Sequence, residues 1–121
     1  MEKRQDQNIN YNLLIAKKTE KIVTAIYLIS QFLPKEESIK IELRKEANKL
    51  LKDMFSLAFN DDAEENIFAL YKKSLDSVSL IISYLYVAKD AGIISRMNID
   101  IVIESLRILE NILNKKQFLL E

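Results

Sequence analysis

The sequence predicts an all-α protein, an antiparallel up-down-up-down four-helix bundle, and three observations carry that prediction. Its 121 residues contain one proline, Pro34, and one glycine, Gly92. Away from these two breakers, apolar residues recur at three- and four-residue spacing, the period of a helix that buries one face. No stretch shows the apolar/polar alternation of a half-buried strand. A chain of this length forms one domain, residues 1–121, long enough to bury a core.

The first helix is expected from about Ile9 to Leu33. Its inward stripe is Ile15, Ile22, Ile26, Ile29 and Leu33, widened by Leu14, Ala25 and Phe32. Residues 1–8 are polar and are expected to fray. Pro34 ends this helix or opens the next, because proline is accepted in a first turn but not in a helix interior. Glu36 and Glu37 follow, where the positive end of a helix favours acids. The second helix runs to about Ala58, with Ile39, Leu43, Ala47, Leu50, Met54 and Leu57 inward.

Asn60-Asp61-Asp62 breaks the pattern, and Asp61 with Glu64 three residues on reads as a capping box for the third helix. That helix presents Ile67, Tyr71, Leu75, Val78, Ile82 and Leu85, and stops at Gly92, a left-handed position just past a helix end. Ser95 is the expected N-cap of the fourth, whose inward seam is Ile99, Val102, Leu106, Leu109 and Leu113. Short joints force sequential helices to pack beside one another, which gives the up-down topology.

Composition narrows the chemistry. Apolar residues make up 49% and charged residues 30%, a globular balance. Eighteen basic residues match 18 acidic ones, so no whole-molecule field draws in nucleic acid or an anionic membrane. Cysteine and histidine are both absent, which excludes disulfides, thiolate or imidazole zinc sites and a histidine general base. No acid stands in the expected core stripes, so a ferritin-like di-metal centre has no ligands. Serines crowd the third helix at Ser74, Ser77, Ser79 and Ser83, but a serine nucleophile needs an activating base. The paired carboxylates Glu36/Glu37, Asp61/Asp62 and Glu64/Glu65 all fall at expected helix starts, where capping and the helix dipole account for them. The expectation is therefore no enzyme activity, no catalytic or metal site and no cofactor. A polar amino-terminal segment and a longest apolar run of 11 residues, Val78–Ala88, add the expectations of no secretory signal, no membrane span and a cytoplasmic location.

Two surfaces remain as candidates. On the fourth helix, Ile101, Ile108 and Ile112 fall on a second face, with Ser105 among them, away from the inward seam. A monomeric bundle needs one stripe per helix, and a surplus apolar stripe marks an interface. The carboxy-terminal Phe118, Leu119 and Leu120 repeat the signal. These six residues are the expected oligomer interface of a homo-oligomer, with another protein as the second candidate partner. The third helix carries side-facing Leu80, Tyr84 and Val87. The other surface is basic: Lys40, Arg44, Lys45, Lys49 and Lys52 lie on the outward side of the second helix, where phosphates of a nucleic acid would be met. Glu42, Glu46 and Asp53 interleave with them.

The segment Ile15-Ala16-Lys17-Lys18-Thr19-Glu20-Lys21, continuing to Tyr27-Leu28-Ile29-Ser30-Gln31-Phe32-Leu33-Pro34-Lys35-Glu36-Glu37, resembles the first helix and joint of a group of small bacterial four-helix-bundle proteins. The group includes proteins encoded in intervening sequences of 23S ribosomal RNA genes and the Avd-like accessory proteins of diversity-generating retroelements. Leu43-Arg44 and the joint Ala88-Lys89-Asp90-Ala91-Gly92-Ile93-Ile94-Ser95 extend the likeness over most of residues 13–115. The resemblance implies an antiparallel four-helix bundle. Its Avd-like branch implies a ring-shaped homopentamer that contacts a reverse transcriptase and RNA. That branch is markedly basic and this chain is neutral. The Arg-Ala-x-x-Ser-Ile-Pro run of the intervening-sequence proteins is replaced here by Arg44-Lys45-Glu46-Ala47-Asn48-Lys49-Leu50-Leu51. Function is thus expected to be non-enzymatic assembly through surplus apolar helix faces, or alternatively RNA or ribonucleoprotein binding through the basic face of the second helix.

Overall fold

Helices form where the three- and four-residue periodicity places them. A computed structural model describes the backbone of residues 2–35, 37–59, 64–92, 94 and 96–120, and the side chains of 11–35, 37–59, 67–92, 94 and 98–119. Its four helices are α1 (Glu2–Ser30), α2 (Ser38–Phe59), α3 (Glu64–Asp90) and α4 (Arg96–Leu120), and no strand occurs among the described residues. The expected caps at Asp61 and Ser95 lie outside the described residues.

Helix α1 begins earlier than Ile9 and ends at Ser30, short of Leu33. The chain tightens there because the N–H groups of Phe32 and Leu33 donate to the carbonyls of Ile29 and Ser30, three residues back. Pro34 follows this tight turn, and α2 opens only at Ser38. At the far end of α3, Ala91 N–H donates to Val87 O at 2.9 Å and Gly92 N–H to Lys89 O at 3.0 Å. Gly92 has φ 70°, the left-handed conformation expected of it, which a residue with a side chain adopts only under strain.

Each helix packs against its neighbour in sequence, and α4 closes back on α1; among the described residues the diagonal pairs α1–α3 and α2–α4 bring no Cα atoms within 8 Å of each other. Cross-helix contacts fix which levels face each other. Tyr27 hydroxyl donates to Asn48 Oδ1 at 3.0 Å, while Lys17 Nζ stands 5.8 Å from the Phe55 ring centre, linking α1 and α2 at two levels. Lys89 Nζ reaches Asp100 Oδ1 at 2.7 Å between α3 and α4, and Lys116 Nζ lies 4.4 Å from the Tyr11 ring centre between α4 and α1.

The core takes the expected seams of α2 and α4 almost whole: Leu43, Ala47, Leu50, Met54 and Leu57 are buried, as are Ile99, Val102, Leu106, Leu109 and Leu113. Helix α1 differs. Leu14 and Phe32, expected inward, are 52% and 71% exposed, and Ile22 is only half-buried. Their places are taken by Thr19, Val23 and Ser30. A hydroxyl is accepted there because Thr19 Oγ1 donates to Ile15 O at 2.9 Å and Ser30 Oγ to Tyr27 O at 3.1 Å, leaving no unsatisfied polar atom. Ser74 follows the same rule on α3, bonding Leu70 O at 2.7 Å.

Candidate functional site

The seam between α1 and α4 is not filled. A groove of ≈ 300 Å³ runs along it, floored by Ile15 and Ile22 of α1 and by Ile108, Leu109 and Ile112 of α4. Exposed Lys18 and Lys21 edge it on one side and Ser105 on the other. Its α4 wall exists because two stripes share that helix. At about 100° per residue, the buried seam and the Ile101–Ser105–Ile108–Ile112 stripe are separate faces.

The six residues expected at an interface divide accordingly. Ile101 and Ile108 stay 58% and 57% exposed, whereas Ile112 is half-buried against the core and forms part of the groove. Phe118 and Leu119 are exposed near the end of α4, and the side chain of Leu120 lies outside the described residues. The structure thus brings Ile108 and Ile112 into one groove, leaves Ile101 further along the same stripe and sets Phe118 and Leu119 at the far end. The α1 side of this surface was missed by sequence reasoning. Leu14, Lys18, Lys21, Ala25 and Leu28 follow one another at four- and three-residue steps, and Leu14 and Leu28 are both exposed. That spacing is a helical seam in its own right. It was legible, but the two lysines in its middle concealed it.

On α3, Leu80 and Val87 are exposed and Tyr84 is half-buried. Tyr84 and Val87 share a second concavity of ≈ 470 Å³ with Ile39, edged by Glu37 and Glu42.

The basic face of α2 breaks into two groups. No basic residue stands in the last turn of α1, so that turn has no cation of its own to meet its carbonyls. Helix α2 supplies one. Arg44 Nη2 donates to Tyr27 O at 3.2 Å, Arg44 Nε donates to Ser30 Oγ at 2.8 Å, and the guanidinium stacks 4.6 Å from the Tyr27 ring centre. Lys40 Nζ donates to Leu33 O at 3.3 Å. Arg44 is therefore turned to α1 and Lys40 to the joint that follows it, not presented outward as expected. Lys45, Lys49 and Lys52 stay exposed, and Lys49 lies 3.9 Å from Glu46. Arg44→Ala is expected to destabilise the fold by about 1–3 kcal/mol, read as a lower thermal midpoint, since it removes the charged donor from a carbonyl and from a hydroxyl together. Arg44→Lys should restore only part, because an ammonium cannot reproduce the planar fork.

Two acids of α2 are also placed differently from the expectation that they interleave on the outward face. Glu46 and Asp53 are buried, and Glu46 Oε2 and Asp53 Oδ2 have no hydrogen-bond partner. Desolvation pushes the Asp53 pKa above 3.8, a rise that the charges of Lys73, Lys49 and Lys52 only partly offset. Folding therefore favours the protonated acid. That stabilising contribution is whole below pH 3.8 and is lost as pH rises through the elevated native value. The melting temperature of Asp53→Asn minus that of the wild type should accordingly be larger at pH 7 than near pH 3.8. Among the described residues, no group of three or more metal-ligating side chains gathers and no helix is long and apolar enough to cross a membrane. Against known proteins, the chain matches no family model, no curated sequence and no solved structure.

Proposed function

We propose that this protein is a non-enzymatic assembly protein, an antiparallel up-down-up-down four-helix bundle that self-associates through apolar helix faces its own core leaves uncovered. One observation carries the reading: Ile101 and Ile108 stand more than half exposed on α4, beside a separate seam of the same helix that is already buried. Large aliphatic side chains repeated along one exposed face disfavour an isolated chain in water, at about 25 cal/mol for each Å² left wet. Helix order and the levels of the cross-helix contacts support the antiparallel arrangement. Kinship with the small bacterial four-helix-bundle group belongs to the same proposal, supported by the Pro34 joint and the left-handed Gly92.

Light scattering at micromolar concentration tests the reading directly. A mass above one chain is expected, and a single-chain mass overturns it.

A further inference from the structure

We propose that the α1–α4 face is covered by a second copy of this chain, related by a two-fold axis running along the groove, so that α1 of each copy lies over α4 of the other. This rests on the self-association reading and specifies its partner, register and symmetry.

The face is built from both helices. Leu14 and Leu28 flank it on α1, and Ile101 and Ile108 on α4. Two neighbouring helices of this length present a surface about 30 Å by about 20 Å, on the scale of the roughly 800 Å² that each partner of a stable complex buries. At the level of the groove the charges of the two helices are opposite, while exposed Lys115 lies further along α4. Lys18 and Lys21 are exposed on the α1 side, and Glu104 is exposed on α4 beside the isoleucine stripe. None of the three has an ion-pair partner among the described residues.

Symmetry brings these borders together. Within one chain, Lys18 and Lys21 line the groove at the level of Ser105, Ile108 and Leu109. A two-fold axis parallel to the helices preserves height along the bundle while exchanging α1 for α4. Lys18 and Lys21 of one copy therefore arrive within about one helical turn of Glu104 of the other, and the pairing occurs twice. The same operation lays the Leu14–Leu28 seam over the Ile101–Ile112 stripe. An acidic helix from a different protein would satisfy the lysines but set its acids against Glu104, whereas a second copy satisfies both borders.

A charge exchange tests the arrangement. Wild type, Lys18→Glu/Lys21→Glu and Glu104→Lys are purified separately, checked for unchanged helicity by circular dichroism, and weighed by native mass spectrometry at low ionic strength. Wild type is expected as two chains. Each variant alone should associate about tenfold more weakly, because like charges meet at both borders. Mixing the two variants should restore a complex holding one chain of each. If wild type associates but neither variant weakens it, this interface is wrong while self-association stands. Rescue in a complex larger than two chains overturns the two-fold axis. A single-chain wild type removes both readings.

Discussion

Leu106→Ala is expected to destabilise the fold by about 2–5 kcal/mol without changing how many chains associate per folded unit. Leu106 is fully buried at the centre of the α4 seam, between Val102 and Leu109 on the same face. Truncating it loses the transfer energy of the removed carbons and leaves a cavity that helices anchored at both ends cannot close. A domain of this size commonly holds about 5–15 kcal/mol in total, so the loss is a large share. Thermal unfolding followed by circular dichroism should fall by about 10 °C or more. A midpoint within a degree or two of wild type would mean that α4 is not packed as described.

Ile108→Glu should do the reverse. The substituted position lies two residues further along α4, on the exposed stripe, and glutamate is a good helix former. Helicity and thermal midpoint measured on dilute protein should hardly move. Association should weaken by about a hundredfold or more, because the new carboxylate loses its water when the face is covered. Sedimentation or light scattering across a dilution series reads the effect. Unfolding on substitution would place Ile108 in the core of the protomer, and an unchanged mass would put the contact elsewhere. Measured together, Leu106 and Ile108 separate holding the protomer together from holding protomers to each other.

Periodicity, Pro34, Gly92 and the polar Asn60-Asp61-Asp62 break were enough to place four helices, because a helix's buried face leaves a direct trace in sequence. The seams of α2 and α4 were legible residue by residue, since their inward positions are nearly all aliphatic. Helix α1 was less so. Thr19 and Ser30 are inward but read as surface residues by type, and only the bond each makes to its own helix reconciles hydroxyl and core. With those positions unrecognised, Leu14 was drawn into the core stripe although it faces out. Lys40 and Arg44 were read as outward charges for a related reason. The groups they serve belong to the end of α1 and to the joint after it, and no local pattern reveals a partner supplied across a turn. The burial of Glu46 and Asp53 was hidden as well, because charged residues on an amphipathic helix normally mark its wet side. The isoleucine stripe of α4 was legible. Its α1 counterpart emerged only once the fold placed the two helices side by side.

Arg44 also bears on how the chain matures during synthesis. A ribosome releases α1 before α2, when its last turn has no cation of its own to meet the carbonyl end of the helix. The residues that close that end, Lys40 and Arg44, emerge only after Pro34 has passed. Helix α1 is thus finished by its successor, and the nascent polypeptide gains its first self-sufficient piece as a hairpin rather than as a lone rod.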